Sequence, residues 1–160
     1  MKLNLGCGQP TKDGYVNIDL YETYSKKGHE IVKMDASKLD YEDGTIDEIW
    51  NRDLFEHIEW EKALDTLKEW HRVLRKGGLL QIKTPAIDLV IQELNTSGID
   101  TPEYRRMLTL LHGCHRLKGH DHKNGTTKNL LERQLNFVGF NHINTEIIYP
   151  DLTLFVRAIK

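Results

Sequence analysis

Short runs rich in leucine and β-branched residues alternate with longer amphipathic stretches along most of the 160 residues, and this alternation limits the fold to few architectures. Seven such runs end at turn-forming residues and are predicted to be strands: 2–5, 16–20, 30–34, 46–50, 79–83, 143–149 and 152–159. The last two flank Pro150 and Asp151 and are predicted to form an antiparallel hairpin. Strands separated by helical stretches indicate an α/β sandwich around a mostly parallel sheet.

An amphipathic helix is predicted over residues 60–74, where apolar residues recur with the i, i+3, i+4, i+7 spacing of one helical face. Trp60 and Trp70 fall on this face and are assigned to the core. The run RKGG at 75–78 predicts the end of the helix, because cations favour the negative end of the helix dipole and glycine allows a left-handed cap. Three further helices are predicted at 87–94, 103–111 and 126–135.

The link between the first two strands is unusually short for a crossover between parallel strands. Residues 6–15 are only ten and include three glycines and one proline, so at most one helical turn fits there.

Length and composition predict one cytoplasmic domain with its own core. The chain has no apolar run long enough for a signal peptide or a membrane span. Its two cysteines, Cys7 and Cys114, lie far apart and imply no disulfide framework.

The net charge of −2 combines two unlike regions. Residues 1–65 hold 15 acidic and 8 basic residues, whereas residues 105–133 hold 2 acidic and 7 basic residues. Such asymmetry is typical either of two different ligands or of ordinary solvated surface. The basic segment is too sparse for a duplex-binding protein, so nucleic acid is not an expected partner.

The residues that follow the first four strands are the candidate binding residues, because ligands of open α/β sheets bind at the carboxyl ends of the strands. Gly6-Cys7-Gly8 follows the first strand and leaves the backbone accessible. Asp19 follows the second and is placed to accept hydrogen bonds from ribose hydroxyls. The full dinucleotide fingerprint is absent, since Thr11 replaces its third glycine and Asp19 comes too early. A cationic nucleoside ligand therefore fits better than NAD, which remains an alternative.

The chain resembles the class I S-adenosylmethionine-dependent methyltransferases over nearly its whole length. Seven segments carry this likeness in the family's order: LNLGCG at 3–8, YVNID at 15–19, MDA at 34–36, IDEIW at 46–50, LFEHI at 54–58, RVLRKGGLLQI at 72–82 and LFVRAIK at 154–160. The short link, with GYVNID at 14–19, is similar to a compact subgroup of predicted methyltransferases.

The resemblance implies a Rossmann-like three-layer sandwich with a seven-stranded sheet, an antiparallel last strand and a first crossover helix that is nearly absent. A flank without that helix favours self-association as a homodimer. The implied cofactor is S-adenosylmethionine, with S-adenosylhomocysteine as product. Nine residues are implied to bind it: Gly6, Cys7, Gly8, Asp19, Leu20, Asp35, Ala36, Asn51 and Arg52. The glycine segment would contact the amino-acid part, Asp19 the ribose, Asp35 and Ala36 the adenine, and Asn51 and Arg52 the methionine.

Catalysis and acceptor binding are expected near His57 and in the basic segment. His57 is a candidate general base for a small acceptor, and a structural histidine is the alternative. Four candidate acceptor ligands suit an anionic molecule: Arg116, Lys118, His122 and Lys123. The five His and Cys residues between 112 and 122 lack zinc-site spacing, so no metal is predicted. A non-catalytic nucleoside-binding module is the alternative to an enzyme.

Overall fold

The computed structural model describes residues 1–8, 11–22, 30–114 and 119–160. Its strands are β1 (Lys2–Leu5), β2 (Val16–Asp19), β3 (Val32–Lys33), β4 (Ile46–Arg52), β5 (Leu74–Pro85), β6 (Asn141–Ile148) and β7 (Thr153–Ile159). Its helices are α1 (Trp60–Val73), α2 (Ile87–Thr96), α3 (Pro102–His112) and α4 (Lys128–Val138), and a single 3-10 turn covers Phe55–His57. None of the helices in the described segments is long and apolar enough to cross a bilayer.

The seven strands form one sheet in the order β3-β2-β1-β4-β5-β7-β6. Strands β1 to β5 are parallel, and β7 pairs antiparallel with both β5 and β6. The predicted α/β class, the mostly parallel sheet and the terminal hairpin are therefore confirmed. Because β1 to β5 run in one direction, their carboxyl ends meet at a single edge of the sheet, and the candidate residues gather there.

The link between β1 and β2 contains no helix in its described residues, 6–8 and 11–15. The chain instead returns through turns, and the backbone N–H of Cys7 donates to the carbonyl of Ile18 at 3.0 Å. The near absence of the first crossover helix is thus confirmed for the described part of the link.

The end of α1 differs from the prediction. The helix stops at Val73, and β5 begins at the next residue, Leu74, which is fully buried and pairs with Ile46. The run at 75–78 forms an irregular insertion in β5 rather than a helix cap, since the next paired residue is Leu79. Leu74 is buried by pairing in the sheet, so the chain becomes extended at Leu74, before the two glycines.

The apolar core lies on one face of the sheet, under α1. Trp70 is fully buried at its centre, and its indole N–H donates to the carbonyl of Ala36 at 2.8 Å. Trp60 was wrongly assigned to the core, because it is the first residue of α1 and is 68% exposed. Leu131 and Leu135 of α4 belong to the same buried cluster.

The opposite face carries polar and aromatic side chains that pair across strands. Glu48 accepts hydrogen bonds from Tyr15 and, at 2.7 Å, from Gln81, and it lies 2.8 Å from the Lys2 ammonium. Such cross-strand pairing stabilises this face of the sheet. The homodimer expected from an exposed flank stays a prediction.

Candidate active site

The glycine loop after β1 requires glycine at its first position. Gly6 has a φ of +60°, and a Cβ built on it would lie 2.8 Å from side-chain atoms of Leu54. A residue with a side chain would be strained in this conformation and would collide with Leu54. The absence of a side chain keeps the backbone of residues 6–8 close to the end of β4.

Asp19 ties this loop to the turn after β2. Its Oδ2 accepts a hydrogen bond from the backbone N–H of Gly8 at 3.0 Å. Its Oδ1 accepts from the N–H groups of Tyr21 at 2.9 Å and Glu22 at 3.1 Å. A carboxylate has about four acceptor sites, so Asp19 can still accept a bond from a ligand hydroxyl.

The residues expected near the adenine differ in how accessible their side chains are to a ligand. Leu20, next to Asp19, leaves 42% of its surface exposed, which suits an apolar ring. Ala36 is buried beside Trp70. The Asp35 side chain is exposed, but its Oδ1 already accepts from the N–H and hydroxyl of Ser37 at 2.8 and 2.7 Å.

Asn51 is the strongest sign of a missing ligand at this edge. It is fully buried on β4 beside Leu5, yet neither polar atom of its side-chain amide has a hydrogen-bond partner among the described residues. A buried unpaired amide costs about 1–3 kcal/mol, and pairing with a bound ligand or a water molecule would remove this cost. Arg52, the next residue, is exposed, and its Nε donates a hydrogen bond to the Asp53 carboxylate at 3.1 Å.

The Cys7 thiol does not act as a nucleophile in this site. Burial, together with the nearby Asp19 carboxylate, raises its pKa to about 12. A thiol is reactive as the thiolate, and with this pKa Cys7 is protonated near neutral pH.

A cavity of about 360 Å³ opens at this edge, next to the end of β4. It lies between β4, β5, α3 and residues 113–114 and 120–122, and its polar wall includes Arg52, Asp53, Glu56, His57, His120 and His122. A smaller cavity of about 210 Å³ shares Glu56 and His122 with it. Three of the predicted residues, Arg52, His57 and His122, are thus brought together.

Glu56 fixes the wall of this cavity. Its backbone carbonyl accepts hydrogen bonds from the N–H groups of Lys123 at 2.7 Å and Asn124 at 3.0 Å, and its side-chain Oε2 accepts from the hydroxyl of Thr84 at 3.0 Å. The side chain is buried, and burial raises its pKa to about 8. The loop at 119–125 is therefore held directly against the end of β4.

His57 and His122 have the same pattern of ring hydrogen bonds, with Nδ1 bonded to a backbone carbonyl in each. Nδ1 of His57 lies 3.0 Å from the carbonyl of Asp121, and Nδ1 of His122 lies 2.8 Å from that of Leu110. A carbonyl only accepts, so both Nδ1 atoms carry the proton and both Nε2 atoms keep a lone pair. Burial lowers the pKa of both rings, whose centroids are 4.9 Å apart.

The cations around the cavity are largely matched by acids. Lys83 lies 3.3 Å from Asp151, and Arg106 donates to the carbonyl of Pro150 at 2.8 Å. Of the predicted acceptor ligands, His122 lines both cavities and Lys123 the smaller one. Arg116 and Lys118 lie outside the described residues.

Sequence reasoning missed Glu56 and Thr84 as site residues. Glu56 precedes His57 in the LFEHI segment, and an acid beside a candidate base was the available signal. Thr84 lies at the end of β5, where no motif marks it.

Comparisons with known proteins agree with this geometry. Residues 14–82 match the model of a methyltransferase domain. No curated protein sequence matches the chain significantly.

Among solved structures, the chain is similar to a SAM-dependent methyltransferase from Archaeoglobus fulgidus, with 14% identity, a TM-score of 0.68, and 99% of this chain and 85% of that chain covered. It is also similar to a SAM-dependent methyltransferase from Mesorhizobium loti, with 18% identity, a TM-score of 0.65, and 99% and 90% covered.

A third similar structure is the 1,6-didemethyltoxoflavin-N1-methyltransferase of Burkholderia thailandensis, which contains its acceptor and S-adenosylhomocysteine. There the identity is 15%, the TM-score 0.63, and the coverage 99% of this chain and 70% of that chain.

The match over residues 14–82 and the shared fold both agree with the resemblance to class I S-adenosylmethionine-dependent methyltransferases read from the sequence. S-adenosylhomocysteine, the product of the predicted cofactor, is bound in the Burkholderia structure.

Proposed function

We propose that the chain transfers a methyl group from S-adenosylmethionine to a small acceptor bound in the cavity beside His57. The observation that carries this proposal is the position of β4, whose end lies between the glycine loop and the cavity. Asn51 offers an unpaired buried amide on the side of the glycine loop, and Asp53 borders the cavity two residues later.

The residues of the nucleoside side fit the cofactor. A Cβ built on Gly8 would meet no atom within 4 Å, so a ligand can approach the backbone there, and Asp19 retains capacity for a ribose hydroxyl. Asn51 can pair its orphaned amide with the polar end of the methionine moiety. Asp35, Ala36, Leu20 and Arg52 are proposed to complete the site as the resemblance implies.

When bound, the cofactor would supply an electrophilic methyl group: an acceptor lone pair would bond to the methyl carbon, the electron pair of the S–C bond would pass to sulfur, and the acceptor would lose its proton. Such displacement depends on alignment of donor and acceptor. The cavity wall formed by Glu56 and the loop at 119–125 supplies that alignment, because hydrogen bonds fix it to β4.

His57 is proposed to receive the acceptor proton. Its Nδ1 is held by the carbonyl of Asp121, and burial keeps the ring neutral by lowering its pKa, so Nε2 is available as an acceptor. We expect His57→Ala to lower turnover by about 100-fold, the usual range for a general base, while affinity for S-adenosylhomocysteine is unchanged. Unchanged turnover would remove this role.

A small acceptor is supported by the volume of the cavity, about 360 Å³. The similar Burkholderia enzyme is a methyltransferase of 1,6-didemethyltoxoflavin. An anionic acceptor stays a proposal that rests on His122, Lys123, Arg116 and Lys118, since most cations on the described wall are already paired.

The direct test measures formation of S-adenosylhomocysteine by the full chain with a panel of small hydroxyl, amine and carboxylate acceptors. The proposal predicts turnover with at least one acceptor and none without the chain. Binding of S-adenosylhomocysteine with no turnover across the panel would favour the non-catalytic nucleoside-binding module instead.

A further inference from the structure

We propose that Glu56, His57 and His122 bind one divalent transition-metal ion, with zinc as the first candidate, in the wall of the acceptor cavity. Each side chain offers one ligand atom, and these atoms all lie within 4.8 Å of one another. Two imidazoles and one carboxylate form a ligand set used by catalytic zinc sites and by non-heme iron sites.

The two histidines are already oriented as metal ligands require. Each donates its Nδ1 proton to a backbone carbonyl, of Asp121 for His57 and of Leu110 for His122. This second hydrogen bond fixes the tautomer and directs the lone pair of Nε2 outward. Glu56 is oriented in the same way by the Thr84 hydroxyl, which bonds to Oε2 and leaves Oε1 for an ion.

Only side-chain rotation is needed to close the site. Ligands about 2.0–2.2 Å from zinc are about 3.5 Å apart in tetrahedral geometry, somewhat closer than the 4.8 Å limit that holds here. The backbones of the three residues are already held together, because Glu56 and His57 share one 3-10 turn, and the Glu56 carbonyl is bonded to residues 123 and 124, next to His122.

The proposed ion would leave at least one coordination position facing the cavity, because only three protein groups bind it. Its role rests on the proposed function, whereas its binding does not. An ion at this position would coordinate an acceptor hydroxyl and favour release of the hydroxyl proton to solvent. An ion would also occupy the Nε2 lone pair of His57, so His57 is the proposed base in the metal-free chain, and solvent receives the proton when the ion is bound.

The test titrates chelator-treated full-length chain with zinc sulfate by calorimetry and counts bound zinc by elemental analysis after dialysis. We expect one zinc per chain. Glu56→Gln and His122→Ala should each weaken binding at least about 100-fold, and Thr84→Val about 10- to 100-fold, because it removes the hydrogen bond that orients Glu56. Circular dichroism and thermal unfolding of each variant establish that it folds.

His112→Ala is the matched control, because His112 is exposed at the end of α3 and belongs to the histidine-rich segment but not to the cluster. It should bind zinc like the parent chain. Absence of stoichiometric zinc in the parent, or equal loss in His112→Ala and His122→Ala, would overturn the proposal.

S-adenosylhomocysteine is titrated into the same samples. Cofactor binding without zinc binding overturns the metal site and leaves the proposed function standing. Zinc binding without cofactor binding supports the site and contradicts the function.

Discussion

The two halves of the sheet's carboxyl edge are built in different ways. The nucleoside half uses backbone groups of a glycine loop, one acid and one buried amide, from residues close to the ends of β1, β2 and β4. The acceptor half uses side chains from β4, β5, α3 and the loop at 119–125, which meet around a cavity. Backbone groups suit one fixed ligand. Side chains on loops can be substituted without loss of the fold, so the acceptor half can be adapted to different ligands.

Alkylation of the two cysteines should show the largest contrast between these halves. Cys7 in the nucleoside half has its pKa raised to about 12, whereas an ordinary thiol titrates near 9. At pH 8 its thiolate fraction, and hence its rate with iodoacetamide, should be about 1000-fold below that of a free thiol. Mass spectrometry should find Cys114, on the wall of the acceptor cavity, modified first.

The pH dependence has a defined sign. The folded chain holds the Cys7 proton more tightly than the unfolded chain, so this thiol favours folding below about pH 9, and the contribution is lost as the pH rises toward 12. Equal labelling rates for Cys7 and Cys114 at pH 8 would contradict the raised pKa of the half-buried Cys7 thiol.

Gly6→Ala should disable the nucleoside half. The left-handed backbone costs a side-chain-bearing residue about 1–2 kcal/mol, and the collision with Leu54 adds about 1–3 kcal/mol. Affinity for S-adenosylhomocysteine should fall roughly 30-fold or more by calorimetry. Gly44→Ala is the control, since Gly44 has a φ of +70° but no heavy atom closer than 3.9 Å to its built Cβ. It should lose stability and keep its affinity.

Asn51→Leu should change stability and affinity in opposite directions. Removing an unpaired buried amide should raise the free energy of unfolding of the ligand-free chain by about 1 kcal/mol. The same change should weaken S-adenosylhomocysteine binding about tenfold, because the ligand loses its partner. Urea unfolding with and without ligand measures both. A variant less stable than the parent in the absence of ligand would show that Asn51 has a structural role.

Lys83→Met should have the smallest effect of these substitutions. Its effect should be confined to the acceptor half. The ion pair of Lys83 with Asp151 is only partly buried, so its loss should cost less than about 1 kcal/mol of stability. Cofactor affinity should not change. A clear drop in S-adenosylhomocysteine binding would mean that the two halves are energetically coupled.

The difference between the halves also explains what the sequence could predict. The nucleoside half follows from local patterns, since Gly6, Gly8 and Asp19 lie within 14 residues. The two glycines are recognised because they leave the backbone accessible, and Asp19 because its carboxylate follows a strand. The sheet follows from the strand pattern, apart from the end of α1, where burial of Leu74 outweighs the glycine signal.

The acceptor half could not be predicted in the same way. His57 and His122 are 65 residues apart, and Thr84 lies between them in the sequence on β5. Their meeting depends on where the loop at 119–125 docks on Glu56, which is a tertiary contact without a local pattern. The histidines between 112 and 122 are neighbours in the sequence, whereas His122 lies beside Glu56 and His57 in the structure.

The central claim is that the carboxyl edge is a site for S-adenosylmethionine, and isothermal calorimetry of the full chain tests it most directly. The account predicts one S-adenosylhomocysteine bound per chain and no binding of NAD, because the glycine loop lacks the helix and third glycine that hold a pyrophosphate. Binding of NAD without binding of S-adenosylhomocysteine would contradict it.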